Sequence, residues 1–133
     1  MLTGAQLLIK CLEAHGVEYI FGTPGAKMGA ILNALVDSPI QFIVCEHEQN
    51  AAFIAAGYAR MSGKPGVVLV ASGAGVSHLT TALLTATIEG DPVIVMAESV
   101  SPYLSFQPAH RRINPIALME VVTKKGVEVA ELA

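Results

Sequence analysis

The residue best placed to do chemistry is Glu48. It stands where a short apolar run, Ile40-Gln41-Phe42-Ile43-Val44-Cys45, gives way to an alanine-rich one. The upstream run is β-branched and aromatic, which predicts a buried strand. Downstream, Gln49 to Met61 carries good helix formers, with Phe53, Ala56 and Ala59 or Arg60 returning at helical spacing. Glu48 is therefore expected at the carboxyl end of a strand and in the opening turn of a helix. In open α/β sheets that edge is where ligands bind, and a carboxylate there can hold or move a proton. The helix dipole favours an acid at this position with or without a function. A zinc-protease helix is excluded, because H-E-x-x-H would need histidine where Ala51 stands.

A second candidate is Ser72-Gly73-Ala74-Gly75-Val76-Ser77-His78, between an expected strand and an expected helix. Its backbone amides could receive an anion. A dinucleotide fingerprint would want a third glycine at position 78 and an acid near the end of the next strand. His78 breaks the first condition and Glu98 meets the second. A tight turn that lets helix and strand pack closely is the stronger reading. The four histidines, His15, His47, His78 and His110, lie in separate segments without metal-ligand spacing, so no metal site is expected. His15, beside Gly16, suits the C-terminus of a helix.

The elements that must position these residues alternate along the chain. Thr3 with Gln6 makes a capping box for a helix through Leu7, Leu8, Cys11 and Leu12 that Gly16 stops. Val17 to Phe21 reads as a strand closed by the turn Gly22-Thr23-Pro24-Gly25. Met28, Ile31, Leu32 and Leu35 mark a helix to Val36, which Asp37-Ser38-Pro39 ends before the strand at Ile40 to Cys45. Ser62-Gly63-Lys64-Pro65 is a loop, and Gly66 to Ala71 a central strand. A helix is expected from Val76 to Ile88, then the turn Gly90-Asp91-Pro92 and a strand from Val93 to Ala97. Ser99 to Arg112 reads as a long loop, Asn114 to Val122 as a short helix, and Val127 to Val129 as a further strand. Strands alternating with helices predict an α/β fold: an open three-layer sandwich, mainly parallel sheet, helices on both faces.

At 133 residues the chain makes one domain. Hydrophobic residues are 53% and charged ones 14%, as a parallel sheet covered on both faces, or a surface kept for a partner, would require. A net charge of −3 with eight basic residues gives no electrostatic footprint for nucleic acid. Cys11 and Cys45 match no metal or redox spacing and read as free thiols of a reducing cytoplasm. No basic-then-apolar leader opens the chain. Residues 65–88 hold no charged side chain, yet their glycines, serines and threonines point to strand, loop and helix rather than a membrane span.

Five motifs occur in order: Phe21-Gly22-Thr23-Pro24-Gly25, His47-Glu48-Gln49-Asn50-Ala51-Ala52, Gly57-Tyr58-Ala59-Arg60, Gly63-Lys64-Pro65-Gly66-Val67 and Ser72-Gly73-Ala74-Gly75, with Thr123-Lys124 extending the pattern. Over nearly its whole length the chain resembles the N-terminal pyrimidine-binding domain of thiamine-diphosphate enzymes, closest to the acetolactate synthase type. The resemblance implies that 1–133 is one such domain, incomplete at its C-terminus. It implies that Glu48 is the catalytic glutamate that hydrogen-bonds the cofactor's pyrimidine ring. That contact favours the imino tautomer, whose nitrogen takes the thiazolium proton and opens the cofactor to the keto carbon of pyruvate. By the same carry-over Pro24, Gly25, Gly73, Ala74, Gly75 and His78 line the pyrimidine pocket.

Within the resemblance, Ala74 and His78 stand where the family's S-G-P-G-x-x-N has proline and asparagine. Arg111 stands where a glutamine usually precedes the last helix, and an arginine there suits a substrate carboxylate. The family's magnesium motif belongs to a diphosphate-binding domain that this sequence does not contain. The implied function is the pyrimidine half of a 2-keto acid decarboxylase or carboligase, inactive until a diphosphate domain or subunit in trans supplies magnesium. A homodimer or higher oligomer is implied with it. The competing expectations are a non-catalytic interaction module of the same fold and a nicotinamide-dinucleotide domain.

Overall fold

The structure is a computed structural model and describes residues 1–98 and 114–129. The elements are α1 (Gly4–Ala14), β1 (Tyr19–Gly22), α2 (Gly29–Val36), β2 (Gln41–Val44), α3 (Glu48–Ser62), β3 (Gly66–Val70), α4 (Ala74–His78), α5 (Thr80–Glu89), β4 (Val93–Ala97) and α6 (Pro115–Met119). The four strands form one all-parallel sheet in the order β2-β1-β3-β4. From β1 the chain runs outward to β2, then returns across β1 to β3 and on to β4. The winding reverses between β1 and β3, and ligand crevices of open α/β sheets form at the carboxyl ends of such a pair.

Alternation along β3 divides the core between the two faces. Val68 and Val70 pack with Phe21, Ala51, Ala52, Ala55, Leu79 and Leu83. Val67 and Leu69 pack with Ile9, Leu12, Ile20, Met28 and Leu35. Helices α1 and α2 thus cover one face and α3 to α6 the other, the three-layer α/β sandwich that the alternation of elements predicts. All five β3 residues are buried, so β3 is the central strand expected of its unbroken apolar run.

Two close approaches bring α3 onto the sheet and β1 onto β3. The inward face of α3 is alanine throughout, with Ala51, Ala52, Ala55, Ala56 and Ala59 all buried. A Cβ on Gly66 would lie 2.1 Å from the Ala55 carbonyl oxygen, and one on Gly22 would lie 1.9 Å from that of Leu69. Neither neighbour is a side chain that can swing aside. Cap chemistry sets the helix ends as the sequence predicts. Thr3 and Gln6 form the capping box of α1, and Gly16, at φ +74°, follows its last turn. Gly63, at φ +71°, closes α3.

Five expectations are revised. The first strand covers Tyr19–Gly22 rather than Val17–Phe21, since Val17 is taken up in packing below α1. The strand before Glu48 lies at the sheet edge, with Gln41, Ile43 and Val44 exposed and only Phe42 half-buried. An apolar run cannot report whether another strand pairs beyond it. The helix expected at Val76–Ile88 begins earlier and is broken at Leu79 into α4 and α5. Val127 to Val129 forms no strand, and α6 ends at Met119 rather than Val122. The loop at Ser99 to Arg112 lies outside the described residues.

Candidate active site

Three loops at the carboxyl edge of the sheet meet at Glu48. The first follows β1 and carries Thr23, whose hydroxyl donates to Glu48 Oε1 at 3.2 Å. The second follows β2. His47 there is the N-cap of α3, its Nδ1 accepting the Gln49 amide at 3.1 Å, so Glu48 begins the helix with its side chain turned toward the β1–β3 crevice. The third follows β3. Gly73, at φ +80°, reverses the chain in a conformation that favours glycine, and α4 then brings His78 Nδ1 to 3.0 Å from Glu48 Oε2. An ionised carboxylate only accepts, so the His78 ring carries its proton on Nδ1 in this pair.

The Glu48 side chain is 19% exposed. Burial pushes its pKa up, but the bonds from His78, its own backbone amide and Thr23 together outweigh that and hold it below the ordinary carboxylate value. The result is an anion at neutral pH, partly shielded from water. Gly75 lies against it: a Cβ there would stand 3.2 Å from Oε1. Backbone rather than side chain forms this wall.

The residues expected at the site divide into several groups. Gly75 and His78 touch or abut Glu48, and Gly73 makes the turn that brings them there. Ala74 opens α4 and is exposed. Pro24 is exposed beside Thr23, and Gly25 packs toward Ala71 and Met28 rather than toward Glu48. Arg111 lies outside the described residues. The anion-cradle reading of residues 72–78 loses support, because the Val76 and Ser77 amides both turn back to the Gly73 carbonyl. Glu98, the acid of the dinucleotide reading, approaches Ser72 Oγ at 3.4 Å and keeps Oε2 buried without a partner.

Residue type and spacing missed Thr23 and His47, and His78 was expected only through the resemblance. Thr23 was legible only as part of a turn. His47 and His78 looked unrelated at their separation in sequence, yet their rings stack with centroids 4.8 Å apart and planes 25° from parallel. With Glu48 they form a group whose ligand atoms all lie within 4.8 Å of one another.

Other motif residues turn out to be structural. Arg60 makes a two-pronged contact with Asp91, Nε to Oδ1 at 3.0 Å and Nη2 to Oδ2 at 2.8 Å, tying the end of α3 to the turn before β4. Tyr58 donates to Glu18 at 3.0 Å, and Lys64 also bonds that carboxylate.

Comparison with known proteins shows the family of the chain. The family model described as "Thiamine pyrophosphate enzyme, N-terminal TPP binding domain" matches residues 2–114. The "Acetolactate synthase" of Bacillus subtilis (strain 168) is 47% identical over 129 residues, 97% of this chain and 23% of that protein. The catabolic acetolactate synthase of Raoultella terrigena is 44% identical over 126 residues, 95% of this chain and 22% of that protein. The acetolactate synthase isozyme 2 large subunit of Escherichia coli (strain K12) is 35% identical over 131 residues, 98% of this chain and 24% of that protein. The chain spans about a quarter of the length of these relatives. It belongs to the thiamine pyrophosphate enzyme family, as a member of that family's N-terminal TPP binding domain.

Proposed function

We propose that this chain is the pyrimidine-binding part of a thiamine-diphosphate-dependent 2-keto acid decarboxylase or carboligase of the acetolactate synthase type, with Glu48 as its catalytic carboxylate. One observation carries the reading: an ionised, partly shielded glutamate, oriented by Thr23 and His78, stands beside a glycine wall where the sheet reverses its winding. These residues fit the pyrimidine end of the cofactor. The carboxylate supplies an acceptor for a protonated ring nitrogen, and the wall beside it at Gly75 is backbone. When bound, the cofactor supplies the electron sink for decarboxylating a keto acid. Glu48 holds a proton at the pyrimidine nitrogen, Thr23 and His78 keep its two oxygens in place, and partial burial strengthens the contact.

Magnesium does not fit the group around Glu48. Two imidazoles and one carboxylate are the wrong donors for a cation that demands oxygen ligands. In this proposal the magnesium comes with a diphosphate-binding domain or subunit, in a cytoplasmic homo-oligomer, and residues 1–133 act as one domain of that assembly. An apolar patch on the outer face of α3 and α5, with Phe53, Ile54, Met61, Leu84 and Ile88 exposed, suits such a neighbour. Among the described residues no helix is long and apolar enough to cross a membrane. Keto acid specificity would rest in part on Arg111.

The test is exchange of the cofactor's thiazolium proton in the complete enzyme. Glu48→Gln should slow it by about 10²–10⁴-fold. Exchange at the wild-type rate would sink the assignment.

A further inference from the structure

We infer that His47, Glu48 and His78 form a binding site for a zinc-like transition-metal cation, and that the metal and the pyrimidine ring exclude one another there. The exclusion rests on the function proposed above; the metal site does not.

The donor set is two imidazoles and a carboxylate, the composition of zinc sites that keep an open fourth position for water. It also suits cobalt and nickel, and it disfavours magnesium and calcium. The three groups come from two separate elements. His47 and Glu48 are adjacent at the start of α3, and His78 arrives at the end of α4. Glu48 Oε2 and His78 Nδ1, 3.0 Å apart, are already at the spacing of two atoms on one tetrahedral ion. The histidine rings stack with centroids 4.8 Å apart and planes 25° from parallel, so their in-plane lone pairs do not yet converge, and the exposed His47 ring must rotate to bring a nitrogen onto an ion held by the other two groups. Both histidines are exposed, so an ion can enter without opening the fold.

Occupancy has two local costs. The ion replaces the proton between His78 and Glu48, and His47 gives up the Gln49 amide whichever nitrogen binds the ion, since neither a protonated nor a metal-bound Nδ1 can accept it. The site therefore holds a metal less tightly than a pre-arranged structural centre, and it loads reversibly. With Oε2 on the ion and Oε1 already bonded by Thr23, the carboxylate is a poorer acceptor, and the ion with its water stands where the pyrimidine ring would approach. Zinc would thereby block cofactor loading at the pyrimidine end, far from the diphosphate and its magnesium.

The full protein, stripped of metal and cofactor, is titrated with Zn²⁺ by calorimetry and with Co²⁺ by its visible d–d bands. The wild type should take up one ion per chain in four-coordinate geometry. His78→Asn and His47→Gln should each weaken that uptake by about 10–100-fold or more. His78→Asn alters an exposed side chain, and a circular-dichroism melt confirms that it folds. No uptake, or equal uptake by wild type and both variants, overturns the metal site. Thiamine diphosphate with Mg²⁺ should then displace the Co²⁺ bands. Bands that persist on a cofactor-loaded protein overturn the exclusion. Failure of the proposed function reads separately, as unchanged proton exchange in Glu48→Gln.

Discussion

His78 Nδ1 lies 3.0 Å from Glu48 Oε2, a contact that spans 30 positions of sequence and joins the loops after β2 and β3. With Thr23 on the other oxygen, it leaves the Glu48 carboxylate one orientation, facing the crevice where the sheet reverses. Removing either partner should free the carboxylate to rotate. In Thr23→Val the isosteric side chain keeps the packing and loses only the donor. The expected cost is about 1.5–3 kcal/mol of stability, as for a hydrogen bond to a charged group. The Glu48 pKa should move up toward its ordinary value, which a carboxyl-carbon NMR titration would read. No upward movement would mean that Thr23 does not hold Glu48.

Two glycines should tolerate no side chain. A Cβ at Gly66 or Gly22 meets a backbone oxygen at 2.1 Å or 1.9 Å. Gly66→Ala and Gly22→Ala should each destabilise the fold by about 1–3 kcal/mol or more, seen as a fall in urea midpoint. A midpoint within error of the wild type would show that the strands can shift.

Gly75→Ala should behave differently. The added methyl presses on Glu48 Oε1 from 3.2 Å, and a side chain can give by a few tenths of an ångström where a backbone cannot. Stability should change by under about 1 kcal/mol, while thiazolium proton exchange in the complete enzyme falls severalfold or more. Equal damage to both readouts would mean that Gly75 is there for packing alone.

Gly57 sits on the exposed side of α3 with nothing within 4 Å of a built Cβ. Glycine inside a helix costs about 0.5–1 kcal/mol against alanine, so Gly57→Ala should stabilise the protein by about that much. If a second subunit packs on the patch between Phe53 and Met61, the same methyl should weaken association, which sedimentation equilibrium would detect. Unchanged association would place the partner elsewhere.

Asp91 gives the pH dependence. The Arg60 hydrogen bond holds its carboxyl below the ordinary 3.8, burial opposing and the Arg60 charge adding. The native state thus binds this proton more weakly than the unfolded chain. The stabilisation is present above the unfolded value and is lost as pH falls through the folded one. Asp91→Asn should lower Tm at neutral pH and converge with the wild type at the acid end. Parallel Tm curves across the whole range would discount the pair.

Much of this molecule was legible before any coordinates. Capping residues and periodicity placed α1, α2, α3, β3 and β4, because those signals act within a few residues. Glu48 stood out for the same reason, at a junction between two local patterns. The parallel sheet followed from alternation alone, since a strand–helix–strand unit has few ways to close.

What local signals do not carry is which strands pair with which. The order β2-β1-β3-β4 leaves an apolar strand at an exposed edge and buries its neighbours. A single run of residues looks alike in either place. The break at Leu79 belongs here too: Leu79 is wholly buried among Ala52, Val76 and Leu83, and α4 and α5 meet at its position.

The same limit explains the site. Residue types along the chain determined that a carboxylate would stand at the carboxyl edge of a parallel sheet. Only the tertiary structure decided that Thr23, His47 and His78 would surround it, and that Arg60 would serve the fold instead of the chemistry. Those outcomes depend on strand order and on close glycine contacts between elements, which bring distant loops to one point in space while their sequence separation remains silent.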